Sequence, residues 1–148
     1  MIVRFKIFAK SVHELAYSTG WRQKNKIMIK ANELRIGNYV FSLETQNHQR
    51  ITGLLEEQPF FDAITFDYPN YDEIESISLT EEWLLKFGFE KNCSDWELPN
   101  FRFHVNKPIN YNGFVFCDGY TVITEKIQFV HQLQNLYFAL TGSELTIA

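Results

Sequence analysis

Between Leu34 and Thr124 no patterned apolar segment runs for more than about eight residues before glycine, proline or a polar cluster interrupts it. That rhythm suits short strands. Leu34 to Phe41 alternates around a single glycine, and Arg50 to Leu55 carries Gly53 as a bulge or a point of close approach. Pro59 precedes a third run, Phe60 to Phe66. The polar turn Asp67-Tyr68-Pro69-Asn70 precedes a fourth, Ile74 to Leu79. The polar stretch Glu44 to Gln49 reads as a loop. Together, residues 34–79 predict a small, strongly curved, barrel-like sheet. So short a stretch buries too little surface to stand alone, so it should pack on the C-terminal half of the chain.

That second half opens with the sharpest local signal in the chain. Thr80 is a good helix N-cap, and Glu81 and Glu82 sit where carboxylates favour the helix dipole. Leu79 and Leu84 occupy the positions of a hydrophobic staple, and Gly88 stands where a left-handed residue ends the helix. A helix over 80–87 is therefore predicted, held down by Leu84 and Phe87. A meander of Trp96 to Leu98, Phe101 to Val105, Gly113 to Cys117 and Tyr120 to Thr124 comes next. Asp118-Gly119 is its two-residue type I′ turn.

The last element runs from about Gln128 to Thr141 and stops before Gly142. Phe129, Leu133, Leu136 and Leu140 fall at helical spacing and predict its core stripe. At about 100° per residue, Phe138 projects opposite that stripe, beside His131, Gln134 and Asn135. One aromatic among polar groups marks either a second buried face, against the barrel-like half or another copy, or an exposed contact point. These four residues are the candidate binding site. The whole is an α+β fold: the barrel-like sheet of about 34–79 packed on a helix, a β-meander and a C-terminal amphipathic helix. Residues 28–148 form one domain, split as 34–79 and 80–148 around a common apolar interior. A chain of 148 residues buries enough surface to need neither disulfides nor metals.

Charge is unevenly spread. Residues 1–30 carry seven Lys or Arg against Glu14, a balance of +6, whereas residues 31–148 balance at −10. An acidic body repels nucleic-acid phosphates and anionic lipid, so nucleic-acid binding by it is disfavoured. The basic leader, residues 1–27, with Phe5, Phe8, Val12 and Leu15 at loose helical spacing, has three readings: an amphipathic helix, a targeting peptide, or upstream sequence ahead of a true start at Met28. The third is favoured, because patterned sequence begins only at Ile29. No apolar run approaches the length of a membrane span. Cys93 and Cys117 match neither a disulfide framework nor a zinc site. A cytoplasmic protein of a bacterial or phage-infected cell is the expectation.

Catalytic signatures are missing. His13, His48, His104 and His131 are scattered at spacings unsuited to metal, and no phosphate loop, nucleophile elbow or dinucleotide fingerprint occurs. Carboxylates cluster at Glu56-Glu57, Asp67 to Glu75 and Asp95-Glu97, but at turns and strand ends, where solvated surface is the simpler reading. No catalytic residue, cofactor or metal is assigned.

Three blocks carry a resemblance: Glu33 to Val40 (ELRIGNYV), Leu79 to Phe89 (LTEEWLLKFGF) and Val130 to Gly142 (VHQLQNLYFALTG). They resemble a family of small uncharacterised proteins from bacterial genomes, phages and mobile elements, over about residues 30–147. The resemblance implies no activity and no catalytic residue. It implies a small accessory or host-interaction protein.

The leading expectation is therefore a non-enzymatic protein that binds a protein partner or self-associates. It rests on the 16% aromatic content, the acidic body and the Phe138 face. One alternative is a nucleic-acid-associated protein that reads with the small barrel and uses the leader as a basic arm. Another is a small-molecule binder or enzyme with its site between the two halves.

Overall fold

The structure is a computed structural model that describes residues 29–56, 58–61 and 69–148. The leader, the end of the expected strand Phe60 to Phe66 and the turn at Asp67 and Tyr68 lie outside these residues. The expected strand from Leu34 begins only at Tyr39. A 3₁₀ turn (Ala31–Glu33) and a second turn through Ile36 and Gly37 precede it.

β1 (Tyr39–Ser42) and β2 (Asn47–Leu54) form an antiparallel hairpin in the register Tyr39↔Arg50 to Ser42↔Asn47. Ser42 Oγ accepts the Thr45 N–H at 3.3 Å, and Gln46 takes a φ of 55° to close the turn. The loop predicted for Glu44 to Gln49 is thus shorter than its polarity suggests. Ladder hydrogen bonds need no apolar side chains on a face turned to water, so Asn47, His48 and Gln49 join the strand. β3 (Pro59–Phe61) and β4 (Ile74–Glu75) complete the order β3-β2-β1-β4. The ladder slips between Ile51 and Gly53, and a Cβ on Gly53 would lie 3.2 Å from the Phe60 ring, so the glycine serves both roles predicted for it. Among the described residues this sheet is open at β3 and β4, without the hydrogen-bonded closure of a barrel.

α1 (Glu81–Lys86) obeys its local signals. Thr80 Oγ1 accepts the Trp83 N–H at 3.4 Å, and Leu79 and Leu84 are both buried. At the other end Gly88 has φ +82°, Phe89 N–H bonds Leu84 C=O at 3.0 Å, and Gly88 N–H bonds Leu85 C=O at 2.9 Å. That double bond is the Schellman closure. Phe89, just past the cap, is fully buried and anchors it.

The meander is a five-stranded antiparallel sheet in chain order: β5 (Glu90–Asn92), β6 (Asp95–Glu97), β7 (His104–Asn106), β8 (Phe114–Asp118) and β9 (Thr121–Ile127). β5 has no apolar side chain and gives no sequence signal; Cys93, at φ 54°, turns it into β6. Trp96, Val105 and Phe116 stand opposite one another on β6, β7 and β8 and form the inner row. Asp118 pairs with Thr121, so the loop is Gly119-Tyr120, one residue later than predicted. Only Gly119 has positive φ there, which suits a type II′ turn rather than I′.

α2 (Val130–Thr141) ends at Gly142, φ +72°, as expected. Its buried face differs from the predicted stripe. Val130, His131, Leu133 and Gln134 are buried, while Leu140 is 41% exposed. The reason is that β1 covers the polar side of the helix. Among the described residues the apolar interior forms two clusters, where one was expected. The first holds Ile29, Leu34, Val40, Ile51, Phe61 and Ile74. The second joins α1 (Trp83, Leu84), the inner row of the meander, α2 (Leu133) and Leu145 of the C-terminal tail. β1 serves both: Val40 points into the first, while Tyr39 and Phe41, on its other face, pack against the second. No helix among the described residues is long and apolar enough to cross a membrane.

Candidate functional site

The four candidate residues are brought together, and they lie on an internal seam. Gln134 is fully buried: its Oε1 accepts the Tyr39 N–H at 2.8 Å, and its Nε2 donates to Gly37 C=O and Leu145 C=O, each at 3.0 Å. One side chain thus ties α2 to the start of β1 and to the tail. Asn135 accepts from Asn38 Nδ2 at 2.9 Å and donates to Glu33 C=O at 2.7 Å. The Phe138 ring is half-buried under the Arg35 guanidinium, 3.5 Å from its centroid, and Arg35 Nη2 pairs with Glu144 at 3.1 Å. His131 is 1% exposed, stacked on Phe129 at 5.7 Å, and neither ring nitrogen has a hydrogen-bond partner among the described residues. With His131 and Gln134 this deep, they face the protein's own N-terminal segment and not an outside partner.

Sequence reasoning misses the other side of this seam. In the sequence, Arg35, Gly37 and Asn38 read as part of the strand expected from Leu34, just after Glu33, and their polarity is the only hint of another role. Gly37 shows why the contact is close: it has φ +98°, and a Cβ there would fall on the Glu144 carboxylate. Tyr39 adds the third block, with its ring 5.7 Å from Trp83 and 6.3 Å from Phe87 of the α1 segment. The blocks Glu33–Val40, Leu79–Phe89 and Val130–Gly142 are therefore one mutual contact.

Gln134 and Asn135 bond the protein's own backbone and side chains across the seam. Burial pushes the His131 imidazole down to about 4, so it is neutral near pH 7. No group of three or more His, Cys, Asp or Glu among the described residues is placed to hold a metal ion. His48 is also lowered, by burial and then by Lys86, and it packs edge-on between Phe41 and Trp83. Cys117 is buried and its thiol is pushed up, chiefly by desolvation and then by Asp95, which keeps it in the unreactive form.

The hydrogen bonds of Gln134 and Asn135 and the ring contacts of Tyr39 cross between the halves. A groove of about 680 Å³ lies elsewhere, on the five-stranded sheet. Glu90, Glu97 and His104 stand opposite one another on β5, β6 and β7 and face away from the inner row, and the turn Leu98 to Phe103 walls one side. Arg102 in that wall is paired with Asp118. The third feature is apolar. Tyr120 is fully exposed at the β8–β9 turn, and Val122 and Ile123 on β9 are 52% and 42% exposed.

No protein-family model matches the chain, and no curated protein or solved structure matches it either.

Proposed function

We propose that this chain is a small, non-enzymatic protein that binds a protein partner or self-associates, an accessory protein of phage or mobile-element type as its three blocks imply, and that it does so through the β8–β9 hairpin. The observation behind this reading is the exposure of three large apolar side chains, Tyr120, Val122 and Ile123, within four consecutive residues. Exposed aromatic and aliphatic groups on one hairpin suit a contact surface. Val122 and Ile123 sit on an edge strand of seven residues, and Tyr120 in the turn that leads into it. Among the described residues the other sheet edges offer less: β5 is three exposed polar residues, β3 is three residues starting with proline, and β4 is two.

The test is a Tyr120→Asp, Val122→Lys double variant, compared with the unaltered protein by sedimentation over a range of concentrations and by isolation of complexes from native cells. The reading expects the variant to lose self-association or partner capture while its Tm stays within a few degrees, as surface changes allow. Unchanged assembly in the variant would remove the hairpin from consideration. A protein that stays monomeric and captures nothing would remove the function.

A further inference from the structure

We propose that His131 is a pH-operated latch on the seam: neutral, it lets the N-terminal segment close on α2, and protonated, it drives that segment off the helix.

The geometry singles out Glu33. His131 and Asn135 are four residues apart and share one face of α2. Both meet Glu33, Asn135 through the backbone carbonyl at 2.7 Å and His131 Nε2 toward the carboxylate at 3.9 Å. The latter distance is too long for a hydrogen bond. The 3₁₀ turn that begins the described chain is therefore gripped at one residue, by a hydrogen bond and by a buried ring with no bond of its own. The ionisable groups on the elements packed against this stretch are few. The N-terminal segment brings Glu33, Arg35 and the exposed Lys30; β1 brings Tyr39; the tail brings Glu144. α2 itself carries only Tyr137 besides His131. Arg35 and Glu144 pair with each other over Phe138, two turns along the helix. Among the described residues only Glu33 is within ion-pairing distance of the imidazole, and its half-exposed carboxylate stays largely solvated.

A proton on His131 therefore places a charge in a buried site beside the Phe129 ring, whereas opening the seam returns it to water. The closed form binds the proton more weakly than the open form, with burial as the cause. Above the ordinary value of 6.5 both forms are neutral and the seam is fully closed, and opening grows as pH falls from there to about 4. Opening uncovers Gln134, Asn135 and Phe138 together.

The experiment is residue-resolved hydrogen exchange between pH 7.5 and 4, with rates expressed relative to the intrinsic rate at each pH. The Tyr39 amide, bonded to Gln134, reports the seam, and the Phe116 amide in β8 reports the meander. Protection at Tyr39 should fall by up to about 300-fold across the window from 6.5 to about 4 while Phe116 holds. His131→Phe should make the Tyr39 profile flat. Glu33→Gln, a half-exposed change that spares the fold, removes the imidazolium's one partner and should enlarge the loss. Tyr39 and Phe116 falling together would make His131 an ordinary core residue. A flat profile in the unaltered protein, or an undiminished fall in His131→Phe, would equally overturn the latch.

Discussion

A primary amide offers two donors and two acceptor positions, and Gln134 uses three of these four inside the protein. Its partners are all backbone groups, from two places far apart in sequence, Gly37 to Tyr39 and Leu145, so its side chain does what a strand would do in a simpler fold. Replacing it with leucine keeps the volume and leaves Tyr39 N–H, Gly37 C=O and Leu145 C=O without their partner. Each orphaned group costs on the order of 1–3 kcal/mol, so Gln134→Leu should lose about 3 kcal/mol or more in denaturant unfolding at pH 7. A loss under about 1 kcal/mol would mean that water replaces the amide without penalty. The sequence offered a second buried face against the barrel-like half as one reading of this side, but not the bonds that Gln134 makes there. A glutamine on the polar side of an amphipathic helix, taken alone, reads as solvated, and only the strand laid across it reveals its partners. Phe138 gave the one sequence sign that this side was unusual, and its cover turned out to be an arginine rather than an apolar neighbour.

At the level of elements, legibility tracked how local the determining forces are. α1 was readable nearly to the residue, because Thr80, the Leu79–Leu84 pair and Gly88 act within one or two turns. Thr80→Ala should accordingly cost about 1 kcal/mol, seen as a lower Tm with the fold intact. No change at all would show that tertiary packing holds the helix without its cap. β5 was invisible because its register partner, and not its own Glu90-Lys91-Asn92 sequence, makes it a strand. The β8–β9 turn was found but placed one residue early, since Asp118 is still paired in the ladder and Gly119 alone supplies the positive φ. The exposed apolar residues of β9 were read only as strand-formers, and their surface position reflects β9 being an edge.

Across the whole molecule, the α+β class and the packing of two halves were readable from the rhythm of short strands and two helices. The single interior was not. Two apolar clusters form because β1 has a covered face on each side, and the contact between halves is made partly by rings (Tyr39 on Trp83 and Phe87) and partly by the amides of Gln134, Asn135 and Asn38. On this account the polar part of that contact couples the two clusters in unfolding. The direct measurement is denaturant unfolding monitored by methyl resonances of Ile51 in the first cluster and Ile127 in the second, in the unaltered protein and in a Gln134→Leu, Asn135→Ala variant. The account predicts one shared midpoint in the unaltered protein and two in the variant, with Ile51 unfolding first. Separate midpoints in the unaltered protein, or a shared one in the variant, would contradict it.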